Sequence, residues 1–323
     1  MLKDRPLPHL FTAMKSLALA FIALLLSSWG DMHAAEVPAH KPTFVDVPYG
    51  PHERQKLDFY QAKSEMPTPV VFFIHGGGWL NGDKGAFNNE KPFLNAGISV
   101  VSINYRLIPD ADAEKLVPPV QGPLLDAARA LQFVRSKAAE WSIDKERIGA
   151  TGSSAGSCSS LWLAFHPDMA DAKSTDPVAR ESTRLWCVAV VRAQTSLDPQ
   201  QMTAWIPNNN YGAHAFGFKG AGNNESAYAE FLAKRETILP WIAEYSPYAL
   251  LTADDPPVYL FYNAPPDMGK PQTSTAHSAN FGVGLLEQCR KLGVPCDLVY
   301  PGAPEVKHAD AGAYLVERLK AGK

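Results

Sequence analysis

The sequence is poor in the features that mark several large classes of protein. Four cysteines, Cys158, Cys187, Cys289 and Cys296, are scattered through 323 residues. None falls in a C-x-x-C pair, and no H-E-x-x-H occurs, so a metal centre with the usual ligand spacing is not expected. A disulfide-stapled small domain is excluded by the same count. Basic clusters are missing too: the net charge is −3, 20% of residues are charged, and no window gathers Lys and Arg. A nucleic-acid partner is therefore not expected. No apolar run reaches the length of a comfortable membrane span.

The longest apolar run, Ser16 to Leu26, follows Met14-Lys15 and leads through Ser27-Ser28 to Ala34-Ala35. Charged, apolar and small residues in that order read as a secretory signal peptide, with residues 1–35 removed and the remainder secreted or periplasmic. A retained anchor is the alternative, because Met32 and His33 stand where small residues are preferred; stable membrane insertion after cleavage is not expected. In an oxidising compartment Cys289 and Cys296 are close enough in sequence to bridge. Cys158 and Cys187 lie in apolar surroundings and read as buried small hydrophobes.

What remains, residues 36–323, is long enough to bury a large core. Alternating apolar residues in Pro42 to Tyr49 and Gln55 to Tyr60 predict an antiparallel hairpin. Val70 to Ile74 is apolar at every position, as in a strand covered on both faces. Ile98 to Tyr105, Ile148 to Thr151, Cys187 to Ala193, Val258 to Tyr262 and Cys296 to Tyr300 continue the series. Between them the spacing of Leu124, Ala128, Leu131, Val134 and Ala138 predicts an amphipathic helix. Further helices are expected at Ala155 to Phe165, about Asn280 to Leu292, and from Ala309. Strand and helix alternate, which is the pattern of a mostly parallel sheet with helices on both faces. About sixty residues, 194–257, interrupt the alternation. Their aromatic content argues for an ordered lid or substrate-binding wall, with a helix from Tyr228 to Leu239 closed by Pro240.

Two glycine motifs carry the chemistry. His75-Gly76-Gly77-Gly78-Trp79 directly follows a buried strand, where a glycine run lets backbone N–H groups approach a ligand unobstructed. A phosphate loop is excluded because Gly82-Asp83-Lys84 breaks the required Gly-Lys-Ser/Thr. Gly152-Ser153-Ser154-Ala155-Gly156 lies between a strand and a helix and fits G-x-S-x-G. A strand turning straight into a helix strains its central residue and crowds the neighbours, hence the small flanking residues. Ser154 would hold its hydroxyl clear, and Ala155 N–H would face a developing oxyanion.

With Asn104-Tyr105-Arg106, the helical segment beginning at Asp126, and Asp144 to Arg147, these motifs resemble the α/β-hydrolase esterases of the hormone-sensitive-lipase-like and carbohydrate-esterase-like kind. The resemblance implies an α/β-hydrolase fold, a Ser154 nucleophile and an oxyanion hole formed by Gly77, Gly78 and Ala155. In that fold the nucleophile, acid and histidine follow one another along the chain, the acid after the penultimate strand and the histidine after the last. His308 is the one histidine after Cys296 to Tyr300, so it is expected to be the base, with His277 as the substitute. Asp267 follows Val258 to Tyr262 and is expected to be the acid; Asp198, after Cys187 to Ala193, is the alternative. Trp79, Trp205, Tyr211 and His214 are expected to contact substrate. The whole reads as a secreted serine hydrolase of carboxylic esters without cofactor or metal, acting on short acyl groups, acetylated carbohydrate among them. A small-amide hydrolase or peptidase of the same fold, and a catalytically silent binding protein, share these features.

Overall fold

The computed structural model describes residues 41–321. The expected signal segment, residues 1–35, lies outside the described residues. One eight-stranded sheet organises the rest: β1 (Phe44–Pro48), β2 (Lys56–Tyr60), β3 (Thr68–Ile74), β4 (Ser99–Ile103), β5 (Ile143–Ser153), β6 (Cys187–Val191), β7 (Val258–Phe261) and β8 (Cys296–Val299). Their spatial order is β1-β2-β4-β3-β5-β6-β7-β8. β2 runs antiparallel to β1 and β4, and every other pairing is parallel. This is the expected α/β-hydrolase architecture.

Side chains alternate across a strand, and both sets are buried here. Val70, Phe72 and Ile74 of β3, Val188 and Val190 of β6, and Val258 and Leu260 of β7 enter one core. Val71, Cys187, Ala189 and Tyr259, the residues between them, enter a second core on the opposite face. The continuous apolar runs are thus explained by helices on both sides. The helices that matter for the site are α1 (Gln121–Ser136), α2 (Ala155–Phe165), α3 (Pro199–Trp205), α4 (Asn224–Ala233), α5 (Leu239–Tyr245), α6 (Asn280–Leu292) and α7 (Ala311–Lys320). Helix α1 offers Leu124, Ala127, Leu131 and Val134 to the first core, and α6 adds Phe281, Leu285 and Cys289. Helix α7 covers the second core with Tyr314, Leu315 and Leu319.

The insert 194–257 is packed, not open. Phe216 meets Phe231 edge-on at 5.5 Å and Trp241 at 6.0 Å, and all three belong to the first core or lie against it. Its helices differ from expectation: the helix expected from Tyr228 to Leu239 runs instead from Asn224 to Ala233, followed by a 3-10 turn, Arg235–Ile238. Pro240 does not close a helix; it stands in the first turn of α5, where its missing N–H costs no hydrogen bond. The four cysteines are free thiols. Cys289 and Cys296 are hydrogen-bonded to each other, which pulls the Cys289 thiol down and pushes the Cys296 thiol up.

Candidate active site

Ser154 sits between β5 and α2 with φ 55° and ψ −123°. A non-glycine residue with positive φ is strained, and the surroundings hold this one in place. Ser154 N–H donates to Val191 O at 3.0 Å, and the Ser157 hydroxyl donates to Gly152 O at 2.7 Å. The flanking glycines are required by contact as well. A Cβ on Gly156 would stand 2.1 Å from Ile74 O, and one on Gly152 would stand 2.6 Å from the same atom. The elbow therefore rests directly on the backbone at the end of β3.

The glycine loop leaves that same strand end. Gly77 (φ 102°), Gly78 (φ 65°) and Trp79 (φ 57°) all take left-handed conformations. The turn is closed by Leu80 and Asn81 N–H groups donating to Gly77 O at 3.0 and 3.2 Å. Gly77 and Gly78 spend no N–H on that turn, and Ala155, at the first position of α2, has no partner for its own within the helix. Gly76, Gly77, Gly78 and Ser154 line one cleft of about 700 Å³.

The loop is clamped from behind by the motifs that surround it in sequence. The Tyr105 hydroxyl donates to His75 O at 2.7 Å, and its ring stacks on the His75 imidazole at 4.2 Å. Asn104 Nδ2 donates to Asp83 Oδ2 at 2.7 Å. Arg106 and the buried Asp126 form an ion pair at 2.6 Å, which Gln55 Nε2 completes with a 2.7 Å bond to Asp126. Burial lowers His75 to about 4 and keeps its ring neutral.

The histidine that meets the Ser154 hydroxyl is His277, not the expected His308. His277 Nε2 lies 2.9 Å from Ser154 Oγ, delivered by a short 3-10 turn, Thr275–His277, in the long connection between β7 and α6. Burial first, and the nearby charge of Arg192 second, lower its pKa from the ordinary histidine value. His308 does lie in the loop after β8, as expected, but that loop folds back toward the α7 face. There its ring is buried beside Tyr259 and Tyr314, and Nε2 is 2.9 Å from Glu317 Oε2. Glu317, joined also by Lys307, holds the histidine away from Ser154, and Lys307 first and His308 second lower that carboxyl to about 2.

Neither expected acid reaches His277. Asp267 is exposed and pairs with Lys270 at 3.2 Å, while its backbone N–H is held by Asn280 Oδ1 at 2.8 Å. Asp198 caps α3 through Gln200 N–H and is paired with Arg235 at 2.7 Å. Among the described residues His277 Nδ1 meets only the Ser274 hydroxyl, at 3.5 Å.

Of the expected substrate contacts, Tyr211 alone lines the cleft. Trp79 is fully buried and donates its Nε1–H to Ser159 Oγ at 2.9 Å, so it anchors the glycine loop to α2. His214 Nε2 is 3.0 Å from Gly78 O, behind the same loop, and burial lowers its pKa. Trp205, half-buried, packs on Phe281 and Tyr248 and fills the space over Gly284 rather than lining the cleft. Arg192, which sequence reasoning passed over, stands at the end of β6 and lines the cleft. Its signal was a single charge at the carboxyl end of an apolar strand, where open α/β sheets place their ligands. Among the described residues no group of three or more His, Cys, Asp or Glu could hold a metal ion.

Residues 57–277, more than half of the chain, match the BD-FAE family. The chain is 38% identical over 82 residues to a kynurenine formamidase of Danio rerio, covering 24% of this chain and 28% of that protein. It is 31% identical over 128 residues to a versiconal hemiacetal acetate esterase of Dothistroma septosporum, covering 37% and 35% respectively. The matches thus span about a third of each relative's length. Among solved structures, a truncated carbohydrate esterase from gut microbiota superposes with a TM-score of 0.62 at 18% identity, over 86% of this chain and 96% of that one.

Proposed function

We propose that this chain, which belongs to the BD-FAE family of α/β-hydrolases, hydrolyses carboxylic esters with Ser154 as nucleophile and His277 as base. The observation that carries the reading is the 2.9 Å contact between His277 Nε2 and the hydroxyl of a serine held in strained left-handed backbone. Ser154 Oγ attacks the ester carbonyl while His277 takes its proton. Negative charge develops on the carbonyl oxygen, toward which the N–H groups of Gly77, Gly78 and Ala155 are available. The tetrahedral intermediate collapses, His277 returns the proton to the leaving alcohol, and the acyl group remains on Ser154. Water, deprotonated by the same imidazole, then releases the acid. The lowered pKa of His277 keeps the imidazole neutral and able to accept a proton at neutral pH. Short acyl groups on polar alcohols, carbohydrate included, are the preferred substrates. The acetate esterase and carbohydrate esterase similarities support that choice.

A fluorophosphonate should label Ser154 stoichiometrically, and Ser154→Ala should abolish both labelling and turnover of 4-nitrophenyl acetate. Folded protein that is not labelled would make this a binding module. His277→Ala should lower kcat/KM by about three orders of magnitude or more. His308→Ala should not: its ring is held against Tyr314 and bonded to Glu317, away from Ser154. A formamidase reading draws on the kynurenine formamidase similarity, and the same chemistry would serve it. Turnover of N-formylaniline faster than of phenyl acetate would favour it. Residues 1–35 are proposed as an export signal; the amino terminus of protein recovered from the exported fraction should then begin near Glu36.

A further inference from the structure

Among the described residues Arg192 has one side-chain partner, the Ser153 hydroxyl, and no charged one. Among the described residues it is the one formally charged side chain lining the cleft at neutral pH, since His75 and His277 are both held neutral and none of the lining residues is a carboxylate. Among the described residues its guanidinium enters no ion pair. The bond it does make runs from Nη2 to the Ser153 hydroxyl at 3.2 Å, one residue from the nucleophile, and its buried Nε has no hydrogen-bond partner. A buried donor left unsatisfied is costly, and so is the backbone that carries it. Arg192 holds φ 55°, fixed by its N–H donating to Phe261 O at 2.8 Å. An unpaired cation on strained backbone, aimed into a cleft beside the nucleophile, is the arrangement a ligand's negative charge would complete.

The charge also bears on the base. Arg192 opposes protonation of His277, and the imidazolium that forms during attack therefore meets an uncompensated positive neighbour. Among the described residues His277 has no carboxylate on Nδ1 to offset this. A substrate anion on Arg192 would neutralise the neighbour and ease proton transfer to His277, so its effect would fall on kcat as well as on KM.

We propose that Arg192 recognises a carboxylate on the substrate, so that the preferred esters are negatively charged ones. The proposal rests on the ester-hydrolase reading and narrows its substrate class. The carboxylate can belong to the acyl chain or to the alcohol, and two matched pairs separate these. Mono(4-nitrophenyl) adipate against 4-nitrophenyl hexanoate tests the acyl side; 4-acetoxybenzoate against 4-acetoxybenzamide tests the alcohol side. In the wild type, kcat/KM should favour the anion in at least one pair. Arg192→Gln should lower that anion-to-neutral ratio by about tenfold or more, and Arg192→Lys should recover part of it as a point charge. Should Arg192→Gln fail to fold, the wild type still decides: adipate should inhibit hexanoate ester hydrolysis competitively and adipamide should not. Turnover of the neutral esters with no preference for either anion, or an unchanged ratio in folded Arg192→Gln, would overturn the proposal. No turnover of any of the four esters, with no fluorophosphonate labelling, would sink the ester reading itself and leave a different signature.

Discussion

Ser154 and His277 meet across 123 positions of sequence, and the histidine arrives on a 3-10 turn within a loop. Because burial and the Arg192 charge both lower the His277 pKa, its neutral form persists below the ordinary histidine range. The acid limb of kcat/KM for a neutral ester should therefore have its midpoint below about 6.5. Removing the positive neighbour in Arg192→Gln should move that midpoint upward, and a pH profile of both proteins checks the sign. The carboxylates invite an opposite expectation. Asp267→Asn and Asp198→Asn should each keep kcat within about threefold of wild type, whereas loss of an orienting carboxylate from a triad costs about four orders of magnitude. A large loss in either variant would mean that the loop rearranges around bound substrate.

At the level of elements, the elbow and the glycine loop behave as one unit because β3 and β5 are neighbours that end at the same height. Ile74 pairs with Gly152, the first residue of the elbow, and the glycine loop begins at the next residue, His75. Gly156 lies against that junction, so Gly156→Ala would drive a methyl group into the Ile74 carbonyl. A loss of about 1–3 kcal/mol is expected, with activity falling further than stability because the N–H groups shift; urea unfolding and kcat measured on the same sample would show both. The surrounding motif residues are structural in the same sense. Asn104, Tyr105, Arg106 and Asp126 contact the loop or its neighbours, not the cleft. Replacing Asp126 by Ala strands a largely buried Arg106, which retains only Glu114. That should cost about 3–5 kcal/mol, measured as a drop in the urea midpoint.

Across the whole molecule, a sheet buried on both faces leaves little room for charge, and the His75 ring at the end of β3 is neutral. His75 takes up a proton near 6.5 when unfolded but only near 4 when folded. The unfolded chain thus binds more protons in that window, and stability falls as pH drops from about 6.5 to about 4, by on the order of 3 kcal/mol for this group. Urea unfolding at pH 7 and pH 4.5 should show the decline, and His75→Gln should show a smaller one.

The sequence by itself determined the sheet, the crossover helices, the elbow and the glycine loop. Those features are written in local patterns: period-2 and continuous apolar runs, helical spacing, and glycines clustered where a strand turns into a loop or helix. Helices α2 and α6 begin and end at the residues the pattern indicates. The histidine was not legible, because loop direction is set by what the loop packs against. The loop after β8 carries His308 under α7, where Glu317 binds it, and the loop after β7 carries His277 over Ser154. Chain order points to the wrong one. The same is true of Trp79, buried in the core, and of Trp205, half-buried against it, whose aromatic character suggested ligand contact. Arg192 gained its place only when β5 and β6 paired in register, bringing Val191 beside Ser153 and so a lone charge beside the nucleophile.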